Sequence, residues 1–533
     1  MGCPVPSAAP IAGSIAAYTF PSIYNSSTLF DLNVGSTDIP VMQFYEYDYA
    51  HFSMDSKPTW IAITIPDDTD LTDVRISPKK LGITPTKSTG CVSFTIPSDE
   101  YLIVKIGSLK ELVIAADKLE TNKPVKSASY VYNILSKPFN ADPTGSGLAT
   151  TALQNAIDTA AADWAAAKSS GVSGLPPRAT VYVPKGLYLI GNIVLKSNTE
   201  LYLEAGSFLR FTGVKSDYTL HWYKSSQGRD VTWWIRTDFN STNIKVYGRG
   251  TLDGNGKYGT NVGKINNNIL VPIATSHFMV DGIVIKESSS WSTIPMRSQN
   301  LLFQNIKWFN SLWMSENDGI DVLESVDVIV RHTIAISLDD PYSTKAYTKI
   351  FPKYNDVLPA ARAVENVLFD DNLSWTRCFA FKIGQGVQMP HLNITFQNGV
   401  VYDAAVGLGI HHAWGTSYIK DVTFSLMQVE RITLELEGRS TWLGFIITDK
   451  PDGTPAASDG AGPVSKVRVR DTTVWSKGKT GISLEGLSPT ANISSIFWSH
   501  TKMPGVDGYA QSLEALNSKT EPTFVYDIKW DTD

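Results

Sequence analysis

Beyond about residue 240 the chain repeats one unit: a polar residue, often Asn or Asp, then a strand of alternating apolar and polar positions, then a polar turn. Asn243-Ile-Lys-Val-Tyr247, Phe278-Met-Val-Asp-Gly-Ile-Val-Ile285, Asn300-Leu-Leu-Phe-Gln-Asn-Ile306 and Val326-Asp-Val-Ile-Val330 are early copies. Glu365-Asn-Val-Leu-Phe369, Leu392-Asn-Ile-Thr-Phe396, Lys420-Asp-Val-Thr-Phe424 and Lys466-Val-Arg-Val-Arg470 continue the series. Several successive copies lie roughly 22 to 28 residues apart, the period at which each repeat makes one coil of a β-solenoid. In such a coil every rung pairs its backbone with the rungs above and below. Inward positions stack apolar side chains, and outward positions along one sheet are free to carry chemistry. The longer gap between Val330 and Glu365 predicts a loop inserted into a coil.

Upstream the pattern changes. Residues 1 to 130 hold short period-two segments, Trp60-Ile-Ala-Ile-Thr-Ile65, Val92-Ser-Phe-Thr-Ile96 and Tyr101-Leu-Ile-Val-Lys-Ile106, broken by Pro, Asp and Gly turns. They predict an antiparallel β-sandwich, an accessory domain without obvious chemistry. An Ala-rich stretch from Ala149 to about residue 165 has apolar residues at helical spacing. It predicts one helix capping the open end of the solenoid, which otherwise exposes a sheet edge. The expected architecture is therefore all-β: an N-terminal sandwich over 1–130, then a right-handed parallel β-helix over 131–533.

Composition narrows the class. The 533 residues are 43% hydrophobic and 18% charged, enough apolar material for a large core and too much for disorder. A net charge of -6 without any Lys/Arg run argues against nucleic acid and anionic membranes as partners. Cys3, Cys91 and Cys378 have no metal-type spacing; they allow one disulfide with one thiol left over, and neither a metal nor a cofactor is expected. The opening Met1-Gly2-Cys3-Pro4 has neither the basic start nor the apolar core of a signal peptide, so a secreted protein is expected here in mature form with a start methionine. Secretion is expected from N-x-S/T acceptors at Asn25, Asn240, Asn372, Asn393 and Asn492, few lysines and many aromatics.

The chemistry is concentrated in Glu316-Asn-Asp-Gly-Ile-Asp321 and Ser337-Leu-Asp-Asp340. Carboxylates at the ends of strands one coil apart stack side by side, so Asp318, Asp321, Asp339 and Asp340 are expected to converge. Crowded carboxyls repel, and the usual result is one that keeps its proton beside ionised neighbours. A glycoside hydrolase needs that pair: an acid to protonate the glycosidic oxygen and a carboxylate to activate water. The alternative is that strand-end aspartates only cap turns.

The segment from about Asp142 to Asp340 resembles the polygalacturonase-type glycosidases of glycoside hydrolase family 28. The cap helix, the turn Gly248-Arg-Gly-Thr-Leu-Asp-Gly-Asn-Gly256, Trp291, the Asn-Asp-Gly-Ile-Asp segment and the interval to the Asp339-Asp340 pair recur in order. The resemblance implies that Asp339 is the general acid and that Asp318 and Asp340 position and deprotonate water. It also implies inversion of configuration, with carboxyls roughly 6.5 to 9.5 Å apart. Lys345 sits where that family often has Lys or Asn, and Asp321 is expected to hold other carboxylates or a substrate hydroxyl.

Departures from the family are equally informative. Its Gly-His-Gly segment is replaced by Gly384-Gln-Gly386, and its uronate-binding Arg-Ile-Lys by Gly409-Ile-His-His412. A buried uronate would lose its charge-assisted partner there, so a neutral sugar is favoured. Dextranases and isopullulanases of family 49 and α-1,3-galactosidases of family 110 also pair a single with a double aspartate. The expected substrate is an α-linked glucan or galactoside, acted on by a monomer. Candidate sugar contacts are Trp291, Trp414, Lys345, Lys382, His411 and His412, with Tyr218, Trp222, Tyr223, Trp233, Trp234 and Trp313 as further platforms. Rival readings are a pectin hydrolase, a polysaccharide lyase, against which the lack of an obvious calcium cage and of the uronate-binding pair argues, and a non-catalytic carbohydrate-binding solenoid.

Overall fold

In the computed structural model, which describes residues 3, 13–348, 354, 357–449 and 460–531, the repeats wind into a parallel β-solenoid. One continuous sheet system runs from strand Val131–Asn133 to strand Val525–Trp530. Another face is built first by Ile193–Leu195, Arg229–Thr237 and Ile265–Val271, and later by the ladder from Ile320–Leu323 to Ser483–Glu485.

The recurrent polar residue has a backbone role. Asn243, His277, Asn300, Asp327, Asn366, Asn393, Asp421, Lys466, Ser495 and Asp527 all have φ between 52° and 58°. Their flanking residues pair rung to rung, so these ten form one column along the solenoid. Asn and Asp enter the left-handed region more readily than other non-glycine residues, which explains why they recur at this bend. Inside, identical side chains stack at the rung spacing: Phe369, Phe396 and Phe424 lie 4.8 and 5.1 Å apart.

Helix Thr150–Ser169 caps the first coils, burying Leu153, Ala156, Ile157 and Ala160 at helical spacing; it runs four residues beyond the stretch read from the sequence. Among the described residues no helix is long and apolar enough to cross a membrane. Asn372 requires a correction as a glycan acceptor. It is fully buried, with Nδ2 donating to the Val330 carbonyl, so an oligosaccharyl group has no access to it in the folded chain.

The N-terminal residues form two sheets around their own apolar core. Pairing is antiparallel except for strands Tyr47–Met54 and Glu111–Lys118, which run parallel. A disulfide joins Cys3 to Cys91, leaving Cys378 free and buried. One sheet docks on the solenoid: Tyr47, Tyr49, Tyr101 and Ile103 pack against Phe309, Ile334, Ile336, Trp375 and Tyr402. The buried carboxylate of Asp117 in this interface is well partnered, as its desolvation demands. Asp117 accepts from the Lys307 ammonium, the Tyr101 hydroxyl and His51.

Candidate active site

Strands Ile320–Leu323 and Tyr342–Ala346 are consecutive rungs in parallel register, with Ile320 opposite Tyr342 and Asp321 opposite Ser343. The next rung, Phe379–Val387, sets Lys382 opposite Ser343. One coil therefore returns the chain to almost the same place, as expected, and Asp318, Asp321, Asp339 and Asp340 converge around the ammoniums of Lys345 and Lys382.

Lys345 is the hub. Its Nζ pairs with Asp318 Oδ2, lies 2.7 Å from Asp321 Oδ1 and 3.7 Å from Asp340 Oδ2. Lys382 Nζ lies 2.8 Å from Asp340 Oδ2. Ser343 donates its hydroxyl to Asp321. Asp318 Oδ1 and Asp321 Oδ2 are buried and have no hydrogen-bond partner among the described residues.

Three carboxyls thus share two ammoniums, with Asp339 beside Asp340, and the four do not ionise alike. Asp339 is pushed up to about 6, first by burial and then by the charges of Asp340 and Glu316. Asp340 moves the other way: burial opposes its charge, but the Lys382 and Lys345 ammoniums outweigh burial and hold it below the usual carboxylate range. Burial and then Asp321 hold Asp318 well above that range, against the pull of Lys345. Burial also raises Asp321, with Lys345 opposing. Asp339 is the least buried of the four, with Asp318, Asp321 and Asp340 each at most 1% exposed. The cluster therefore offers a partly exposed carboxyl that keeps its proton up to about pH 6 beside one held ionised.

Sequence reading missed several members. Asn317 Oδ1 accepts the backbone N–H of Leu338 at 2.9 Å and faces that of Asp339 at 3.4 Å, tying the two aspartate segments together. Its position inside the Glu316-to-Asp321 segment was the available signal. Glu316 pairs with Lys224 at 2.6 Å. Donor atoms of Asp339, Asp340 and Cys378 lie within 4.8 Å of one another. Burial and the adjacent Asp340 and Asp339 charges hold the Cys378 thiol well above its usual range, so it stays S–H towards Asp340 and is a poor metal ligand.

The predicted sugar contacts divide. Trp222, Trp291, Tyr347 and Trp414 form a row with ring centroids 5.9, 6.1 and 5.6 Å apart, beside the cluster. Lys345 Nζ sits 4.6 Å above the Trp291 ring. Gly386 matters here because a Cβ on it would lie 2.4 Å from the Tyr347 ring. Trp291 is only 4% exposed, so it backs the lysine more than it offers a face. His411 follows Gly384 in the column above Lys345 but bonds Thr448 Oγ1 through Nε2 at 3.2 Å, away from the aspartates. His412 requires a correction: it is fully buried, with Nε2 3.0 Å from the Ser417 carbonyl, because it shares the inward alternation of Leu408 and Ile410. Trp233 and Trp234 are likewise wholly buried, and Tyr218 stacks on Phe211, whereas Tyr223 and Trp313 are exposed.

Residues 176–359, which contain the whole single-and-paired aspartate segment, match the model of glycosyl hydrolases family 28. No curated protein matches the chain. Among solved structures, the family 28 exopolygalacturonase of Yersinia enterocolitica is similar over 90% of this chain and 95% of its own, at 15% identity and a TM-score of 0.57. The polygalacturonase of Erwinia carotovora subsp. carotovora is similar over 78% of this chain and 98% of its own, at 15% identity and 0.52. The hyperthermoactive exopolygalacturonase of Thermotoga maritima is similar over 70% and 87%, at 18% identity and 0.51. At these identities the structures attest the fold, while the family match falls on the stretch that holds the aspartates. The chain is a glycoside hydrolase built on a parallel β-helix, similar over residues 176–359 to the glycosyl hydrolases of family 28.

Proposed function

We propose that the protein is a secreted, inverting glycoside hydrolase that cleaves a neutral, α-linked glucan or galactoside. One observation carries the reading: within a single cluster, Asp339 is raised to about 6 and reachable, while neighbouring Asp340 is kept ionised by Lys382 and Lys345. Asp339 gives its proton to the glycosidic oxygen as the C–O bond breaks. Asp340, kept ionised, takes a proton from the water that Asp318 positions for attack on the anomeric carbon from the opposite face, so one turnover consumes one water and leaves two hydroxyl ends. Asp321 keeps Lys345 in place between them.

The preference for a neutral sugar is supported by the spending of both lysines on carboxylates, at 2.7 to 2.8 Å. A uronate placed there would meet like charge and no free ammonium. The Cys3–Cys91 bridge supports an oxidising, extracellular setting. A second reading, a pectin hydrolase, has one observation of its own. Arg377 is exposed on the rung above the acid, its backbone N–H donating to the Leu338 carbonyl at 3.1 Å, and it would offer a cation to an anionic sugar. Product chromatography on dextran, pullulan, galactans and polygalacturonate separates the two. Cleavage of a neutral glycan supports the proposal, cleavage of polygalacturonate alone supports the second reading, and an unsaturated product would establish a lyase.

A further inference from the structure

We infer that the N-terminal module takes part in turnover as a positioning element, through Glu46 and Tyr47, an inference that rests on the assignment of Asp339 as general acid. The segment 310–317 leads directly into Asp318, and two groups from the N-terminal sheet hold it. Glu46 Oε2 accepts the Leu312 N–H at 3.0 Å, and the buried Tyr47 hydroxyl donates to the Asn310 carbonyl at 2.9 Å.

From there the bonds run on towards the acid. Asn310 Nδ2 donates to the Asn317 carbonyl at 2.8 Å, and Asn317 Nδ2 donates to the Ser311 carbonyl at 2.7 Å. Asn317 Oδ1 in turn takes the Leu338 N–H at 2.9 Å, immediately before Asp339. The turn is therefore closed on itself and on the acid's strand, and its outer side rests on residues more than 260 positions upstream (Glu46 to Leu312 spans 266). A loop that must hold two carboxyls in a fixed relation gains from such bracing, because displacement by about 1 Å costs on the order of a hundredfold in rate. Neither Glu46 nor Tyr47 needs to touch substrate for this.

The test uses the full chain with Glu46→Ala, Glu46→Gln and Tyr47→Phe, and Asp73→Ala at an exposed pair elsewhere in the module as control. Glu46→Ala and Tyr47→Phe are expected to lower kcat about 10- to 100-fold while KM stays within about twofold. Glu46→Gln keeps an oxygen for the Leu312 N–H and is expected to recover most of the loss, and Asp73→Ala to behave as wild type. The inference is overturned if Glu46→Ala and Tyr47→Phe turn over within twofold of wild type. It is equally overturned if Glu46→Gln is no better than Glu46→Ala and the losses follow the folded fraction. Should Tyr47→Phe fail to fold, the Glu46 pair, at a half-buried position, still decides. Asp339→Asn is measured alongside: wild-type turnover in that variant would remove the assignment of the acid, and this inference with it, whereas an inactive Asp339→Asn beside an active Glu46→Ala refutes positioning alone.

Discussion

Asp339 and Asp340 are neighbours in the chain, yet their carboxyls are driven in opposite directions, Asp339 up to about 6 and Asp340 below the ordinary range. The difference is one of geometry. Asp340 points inward to Lys382, 2.8 Å away, whereas Asp339 is held beside the charges of Asp340 and Glu316. Both residues lie in the bend between strands Val326–Ser337 and Tyr342–Ala346, and the bend gives the two carboxyls of one dipeptide different surroundings.

The first consequence is a pH profile. Under the proposed mechanism Asp339 must carry its proton, so kcat is expected to fall as pH rises through about 6. Stability follows the same group. Its folded pKa lies above that of the unfolded chain, near 3.9. Its contribution is therefore fully present below that value and is lost as pH rises towards 6 and beyond. Asp340 has the opposite sign, its contribution being lost as pH falls below the ordinary carboxylate range. Rate measurements between pH 4 and 8 and urea unfolding between pH 2 and 8 would check both, and Asp339→Asn is expected to be more stable than wild type at pH 8.

Lys345→Met tests the hub. The substitution keeps the apolar stem but leaves the Asp318, Asp321 and Asp340 carboxyls buried without that cation. Removing one partner from a buried ion pair costs about 3 to 5 kcal/mol. Denaturant unfolding at pH 7 is expected to show a loss of this size, smaller at pH 4 where the carboxyls accept protons instead. An unchanged midpoint at pH 7 would mean that the lysine does not hold the cluster.

Glycan occupancy offers a test of the fold itself. Expressed in a secretory host that attaches N-glycans, the chain is expected to carry none at Asn372, whose amide donates to the Val330 carbonyl inside the coil. Asn25, Asn240 and Asn393 are exposed and available. Peptide mass spectrometry after enzymatic deglycosylation reads each site separately.

The solenoid was legible because its two signals are periodic: alternation within each strand, and an Asn or Asp at most bends. The second signal can now be read physically, since Asn300, Asp327 and Asn366 occupy the left-handed region at the same corner of successive coils. The aspartate cluster was legible for the same reason, because one coil separates Asp318 from Asp339. Side-chain facing was not. His411 and His412 look equivalent in sequence, but strand alternation sends one outward and the other into the core, and the strand's register is set by rungs elsewhere. Trp233 and Trp234 also read as sugar platforms, while their burial depends on packing that no local pattern reveals. The bracing of segment 310–317 by Glu46 and Tyr47 was out of reach, because it joins residues far apart in sequence across two differently built parts of the fold.

The most direct test of the central claim is turnover by Asp339→Asn on the glycan that wild type cleaves, measured with binding of the same glycan. Removal of a general acid costs about 10²- to 10⁴-fold. The account predicts a fall in kcat in that range with glycan affinity retained and the alkaline limb near pH 6 abolished. Turnover within a few-fold of wild type, with the limb unchanged, would contradict it.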